Sequence, residues 1–135
     1  EAAHGRALGE TGHVYLAAAG FEEDGWRDFS ASRLGQLFLR GGASAGATDW
    51  DVSLTHARTN LIGNGLAPDT LLEARRSAIY TRPDQTRNRL TMLVLQAEHD
   101  LGGGQALAAT AYLRHLDTRT LNGDLNDDYD PPVVE

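Results

Sequence analysis

Arginine is the residue type in this sequence whose number and spacing point to chemistry. The connection from Thr59 to Asn88 is rich in it, and its candidate anion-binding residues are Arg75, Arg76, Arg82 and Arg87. Guanidinium groups present forked N–H donors that match the oxygens of carboxylates, phosphates and metal chelates. This connection therefore predicts a site for an anionic metal chelate or a lipopolysaccharide phosphate. The alternative is a solvated loop with internal ion pairs.

The sequence contains two further local patterns. One is a helix-start pattern in the same connection, and the other is a calcium-loop spacing in the acidic C-terminal tail. Thr70 and Glu73 form a Thr-x-x-Glu pattern, which predicts one or two helical turns. The oxygen-bearing residues of the tail follow the spacing of a calcium loop: Asp124, Asn126, Asp128, Asp130 and Glu135. Tyr129 stands where that loop requires glycine, so a flexible acidic loop is the favoured interpretation.

Enzyme chemistry has little support in the sequence. The chain has no cysteine, and all 12 basic residues are arginine, so thiolate and amine nucleophiles are absent. Glu98 and His99 are neighbours on a predicted strand and point to opposite faces, as do Asp51 and His56. No histidine pair has the spacing of a zinc-binding helix. We therefore expect no enzyme, no resident cofactor and no metal site.

The elements that position these residues have a period of two, which is typical of strands. The alternation is clearest from Thr48 to Arg58 and from Ala106 to Leu116. Further strands are predicted at His13 to Glu22, Leu34 to Gly41, Arg89 to His99 and, more weakly, Glu1 to Leu8. No run of residues approaches the 18 to 20 apolar side chains of a membrane helix.

The predicted connections alternate in length, and this indicates a membrane-spanning sheet. Short glycine-containing turns alternate with long polar loops at 23–33, 59–88 and 117 onward. In an antiparallel meander this puts all long loops on one edge, as in transmembrane β-barrels. The predicted fold class is all-β, an antiparallel up-and-down meander forming part of a transmembrane β-barrel. The residues expected to face lipid are Trp50, Val52, Leu54, Leu107, Ala109, Ala111 and Leu113. Those expected to face a polar lumen are Asp49, Asp51, Ser53, Thr55, Thr110, Tyr112 and Arg114.

Several segments carry a family resemblance in chain order. They are Phe21 to Ser30, Leu37-Phe38, Asp51 to Leu54, Asn60 to Leu66, Thr81 to Asp84, Arg87 to Leu90 and Leu121 to Asp128. Together these segments resemble the early barrel of TonB-dependent outer-membrane receptors. The resemblance implies a 22-stranded barrel with an internal plug, and energised uptake of a scarce nutrient, commonly a ferric siderophore or similar chelate, through contact with TonB.

Residues 1–135 are accordingly expected to be a partial barrel, with the plug and remaining strands supplied by the rest of the receptor. The expected partners are outer-membrane lipid, those strands and the plug, TonB through the plug region, and a small-molecule metal chelate. The expected location is the outer membrane of a Gram-negative bacterium. Net acidity argues against a nucleic-acid partner. The alternatives are a soluble secreted β-sandwich or lipocalin-like binding module, and a non-energised porin.

Overall fold

The computed structural model describes residues 1–123, which form six strands and one short helix. The strands are β1 (Ala2–Leu8), β2 (Gly12–Glu23), β3 (Ser32–Ala45), β4 (Thr48–Ile62), β5 (Asp84–Gly102) and β6 (Gln105–Asn122). Helix α1 (Asp69–Ala74) lies between β4 and β5. All six strands belong to one antiparallel sheet in chain order. The predicted all-β meander is confirmed, and the weakly predicted first strand is present.

The sheet is open at both ends. Within residues 1–123, β1 pairs only with β2 and β6 pairs only with β5. The outer backbone groups of these two strands therefore have no sheet partner among the described residues.

The strands are longer than the alternation predicts, and the arginine-rich connection is shorter. The predicted loop from 59 to 88 is wrong at both ends, because β4 continues to Ile62 and β5 starts at Asp84, so the loop spans 63–83. The predicted loop from 117 onward is likewise wrong up to Asn122, which ends β6. Arg87 therefore lies on a strand.

Polar side chains hold the long-loop ends of these strands together. Asn88 Nδ2 donates to Thr59 Oγ1 at 3.1 Å, and Gln85 Nε2 donates to Asn60 Oδ1 at 2.6 Å. Thr118 Oγ1 donates to Asn88 Oδ1 at 2.8 Å. These bonds and the backbone ladder extend the sheet without any apolar alternation, which is why the alternation missed these residues.

The connections are sorted by length onto the two edges of the sheet. One edge carries the turns at 9–11, 46–47 and 103–104, which we call the short-turn edge. The other carries the connections at 24–31 and 63–83, the first loop and the second loop. The predicted sorting is confirmed for the residues that the structure describes.

One face of the sheet carries an unbroken row of leucines. Five leucines are paired directly across five strands in the order Leu16, Leu39, Leu54, Leu93 and Leu113. We call this the leucine row, and the face that carries it the leucine face. Toward the short-turn edge the same face continues with a row of Val14, Gly41, Val52, Leu95 and Ala111. The seven residues predicted to face lipid all lie on the leucine face, and the seven predicted to face a lumen all lie on the opposite face.

The leucine row and the row from Val14 to Ala111 together form an apolar band on the leucine face, and this band begins at β2. On β1 the corresponding positions are His4, paired with Leu16, and Arg6, paired with Val14. These two polar side chains interrupt the band at the edge of the sheet.

The sheet has no core of its own. Among residues 1–123 the only buried residues are Ala78 and Ser30, at 2% and 8% exposure, and both lie in or beside the long loops. Four leucines of the row are exposed, from 40% at Leu39 and Leu93 to 73% at Leu113, and Leu54 is half-buried. No second layer of described residues covers either face of the sheet.

Helix α1 confirms the predicted helical turns but not the predicted start. The backbone N–H groups of Leu71 and Leu72 both donate to the carbonyl of Pro68, at 3.0 and 3.2 Å. Pro68 is therefore the N-cap, and Thr70 lies inside the helix. No helix within residues 1–123 has the length and apolarity to cross a bilayer.

Candidate functional site

Asp28 joins the first loop to the second loop. Its backbone N–H donates to the carbonyl of Ser77 at 2.8 Å, and Ser77 Oγ donates back to Asp28 Oδ1 at 3.0 Å. The guanidinium of Arg75 forms an ion pair with the other carboxylate oxygen of Asp28. These three contacts, which we call the loop clasp, hold the two loops together at the long-loop edge of the sheet.

Phe29 and Arg82 form a second contact between the loops. The guanidinium carbon of Arg82 lies 4.1 Å from the centre of the Phe29 ring, a cation–π geometry. Together with Ile62, Ile79 and Pro83 they line a recess of about 390 Å³. The recess has largely apolar walls, and its lining includes the cation of Arg82 and the carboxylate of Asp84, so it suits a ligand with an apolar body.

The first loop is fixed internally by Ser30. The hydroxyl of Ser30 donates to the carbonyl of Arg27 at 2.7 Å. Gly25 has a φ of +70°, and a Cβ at that position would collide with Ser30 Oγ. Phe29 has a φ of 54°, in the left-handed region that a bulky residue rarely occupies. The loop conformation therefore depends on these three residues.

Arg76 lies in a different recess. It shares that recess with Trp26 and Arg27 of the first loop and with Asp69 and Glu73 of helix α1. The guanidinium of Arg27 sits over the Trp26 ring at 4.9 Å. Trp26 is 65% exposed, so this recess presents an aromatic ring between two guanidinium groups and two carboxylates.

The four arginines predicted to bind an anion do not converge on one point. Arg75 is engaged by Asp28, Arg82 stacks on Phe29, and Arg76 occupies the recess beside Trp26. Arg87 lies on β5, on the leucine face. The structure thus divides the predicted set into three loop residues and one strand residue.

The sheet brings Arg87 into a cluster that sequence reasoning missed. Arg58 on β4 is paired directly with Arg89 on β5, and Arg87 is paired directly with Arg119 on β6. All four lie on the leucine face near the long-loop edge, and we call them the arginine cluster. Arg87 and Arg89 show the necessary spacing in the sequence, but the pairing with Arg58 and Arg119 follows only from the register.

On the opposite face, Asp51 contacts Arg40 and His13 near the short-turn edge. Arg40 Nε lies 2.9 and 2.8 Å from the two carboxylate oxygens of Asp51. His13 Nε2 approaches Asp51 at 3.4 Å. This arrangement fixes the Arg40 side chain across the strand pair.

The titratable pairs predicted to lie on opposite faces of the sheet do so in the structure. Glu98 pairs with Asp49 on the opposite face, while His99 pairs with Thr48 on the leucine face. Asp51 and His56 are likewise on different faces. Within residues 1–123 there is no group of three or more metal-binding side chains. The acidic pattern from Asp124 to Glu135 lies outside the described residues.

Comparison of the chain with protein-family models, with curated proteins and with solved structures gives no match.

Proposed function

We propose that this sheet is part of the wall of a transmembrane β-barrel, in an outer-membrane receptor that captures a scarce nutrient such as a ferric siderophore or a similar chelate. The leucine face would contact lipid. The opposite face would line the lumen or contact an internal plug, and the first and second loops would face outside. Transport would be energised through TonB, which contacts the plug region of such receptors.

The exposed leucine row is the observation that carries the proposal. A water-soluble domain buries its leucines, because each one removed from water contributes about 1.5 to 3 kcal/mol. Here five leucines stand in line on a face that no other described residue covers. Lipid is the environment in which such a face is stable without a second protein layer.

The length of the apolar band supports the same proposal. On β4 the leucine face is apolar at Trp50, Val52 and Leu54 and polar at Thr48 and His56. The eight residues from one polar position to the other span about 26 Å, which a tilt of about 40° reduces to roughly 20 Å, close to the apolar belt of about 25 Å of outer-membrane barrels. Trp50 lies near one end of the band, where aromatic residues collect at membrane interfaces.

The open edges explain why further strands belong to the proposal. In hydrocarbon, an unpaired backbone group costs several kcal/mol, so a lipid-exposed sheet must close. At least eight strands are needed for a barrel, and residues 1–123 form six. The remaining strands would pair with β1 and β6, and the plug would pack on the opposite face. His4 and Arg6 make β1 the strand with the least lipid contact.

The soluble sandwich remains the competing interpretation, and cysteine labelling separates the two. Because residues 1–135 contain no cysteine, each single replacement gives one labelling site in this part of the protein. V52C and L54C probe the leucine face, while S53C and T55C probe the opposite face of the same strand. Each variant is expressed in cells from the full-length gene.

We expect a lipophilic maleimide to label residues 52 and 54, and a charged, water-soluble maleimide to label only 53 and 55. L66C, at a residue that is 96% exposed in the second loop, should react with the charged reagent in intact cells. G103C, in a short turn, should react only after the outer membrane is opened. The proposal would be overturned if the charged reagent reacted at residues 52 and 54, or if neither reagent reacted at these two residues. A porin differs in passing solute without TonB, which an uptake assay in a TonB-deficient strain detects.

A further inference from the structure

We infer that the arginine cluster binds the phosphate groups of lipid headgroups in the leaflet next to the long-loop edge. This inference deepens the proposed function and rests on it. The site differs from the arginines of the second loop, because it is built by three strands and faces outward, away from any lumen.

The register gives the first argument. Arg58 stands directly opposite Arg89, and Arg87 directly opposite Arg119. Like charges directly across a strand pair repel and destabilise it. Four arginines surround one carboxylate, Asp117, which leaves an excess of three positive charges on a chain whose formal charge is −7. A bound anion would remove this repulsion.

The partners of the four side chains give the second argument. Within residues 1–123, no carboxylate forms an ion pair with Arg58, Arg87 or Arg89, and Asp117 reaches Arg119 only at 3.4 Å. Arg58 Nε donates to His56 Nε2 at 3.1 Å, while His56 Nδ1 lies 2.9 Å from Thr91 Oγ1. These bonds orient Arg58 and leave its terminal N–H groups available. The cluster encloses a groove of about 260 Å³.

The height of the cluster gives the third argument. The apolar band on β4 lies between Thr48 and His56, so its middle is Val52, which is paired with Leu95. Arg58 and Arg89 lie six residues along their strands from this pair. Six residues span about 20 Å, or roughly 15 Å along the membrane normal at a tilt of about 40°. Half of the apolar belt of outer-membrane barrels, which is about 25 Å high, is about 12 Å. The guanidinium groups therefore lie at the level of headgroup phosphates, whose oxygens accept forked N–H donors.

The test measures binding of lipid A, a diphosphorylated glycolipid, to the purified protein in neutral detergent. We expect R58Q/R87Q/R89Q to bind it about a hundredfold more weakly, since each arginine near an anionic surface contributes about fivefold. The matched control is R114Q, which removes an arginine from the opposite face and should bind as the unaltered protein does. D117N, which removes the one carboxylate of the cluster, should bind about fivefold more tightly.

Dephosphorylated lipid A should not bind, and inorganic phosphate at tenfold excess should not displace lipid A. Displacement by inorganic phosphate would show a site for free phosphate and overturn the lipid assignment. Unchanged binding in the triple variant, or weaker binding in D117N, would overturn the site. The triple variant should still fractionate with the outer membrane. If the unaltered protein itself stays in the soluble fraction, the proposed function fails, and that result is distinct from a loss of lipid binding alone.

Discussion

Asp28 in the first loop and Arg75 in the second loop form an ion pair, and the same carboxylate accepts a hydrogen bond from Ser77 at 3.0 Å. Two segments almost 50 residues apart in the chain are thereby held in one arrangement. Such contacts matter in a protein proposed to bind its ligand with loops, because ordered loops lose less conformational entropy on binding.

The first prediction concerns this loop clasp. D28A should make the loops open more readily, by about 1 to 2 kcal/mol, because it removes a hydrogen bond and an ion pair whose arginine is largely exposed. D28N keeps the acceptor for Ser77 and should lose at most about half as much. Hydrogen exchange at residues 24–31 and 63–83 measures the change. Equal exchange in D28A and the unaltered protein would show that the clasp contributes nothing.

The second prediction concerns the leucine row. L54R should lower the stability of the membrane-inserted protein by about 2 to 4 kcal/mol, since arginine near the bilayer midplane on a lipid-facing strand has that cost. T55R, at the next residue on the opposite face, should be tolerated far better. Stability is measured by urea unfolding from lipid vesicles. A larger loss for T55R than for L54R would reverse the assignment of the two faces.

The third prediction concerns Gly25. G25A should disorder the first loop, because the residue has a positive φ and its Cβ would collide with the Ser30 hydroxyl. A cost of about 1 to 3 kcal/mol is expected for the loop, with little change in the sheet. Faster protease cleavage within 24–31, with unchanged β-sheet circular dichroism, is the expected readout. G103A, in a short turn with open space around its φ of 63°, serves as the control for backbone strain without a clash.

The fourth prediction separates strain from stacking at Phe29. Both F29A and F29N lose the contact with Arg82, but asparagine accepts the left-handed conformation more readily than alanine does. F29N should therefore keep the first loop more ordered than F29A, by about 1 kcal/mol. Hydrogen exchange across 24–31 in the two variants tests this difference. Identical exchange would mean that the positive φ at this residue carries no strain.

The sequence predicted the sheet well because its strands alternate in apolarity where one face is apolar. The prediction failed where that alternation stops: Thr86, Arg87 and Asn88 are all polar, yet they lie on β5 and are bonded across the sheet. The helix start was predicted at the wrong residue because a backbone carbonyl, that of Pro68, replaces the expected threonine side chain.

Anion binding by the four arginines stays a prediction, and the sequence did not indicate the contacts that these side chains make. Arg75 and Arg82 do lie in the second loop, but their contacts with Asp28 and Phe29 join segments far apart in sequence. No local pattern encodes such contacts. The arginine cluster depends on how three strands are aligned, and a shift of one residue would move each of its members to the other face.

The order of the strands has a consequence for biogenesis. Because each strand pairs with the one just before it in the chain, the sheet can form hairpin by hairpin. The free edge of each paired strand is then the template on which the next strand pairs. Only the step from β4 to β5 must first bring together ends separated by a 21-residue connection, so that step should be the slowest of the series.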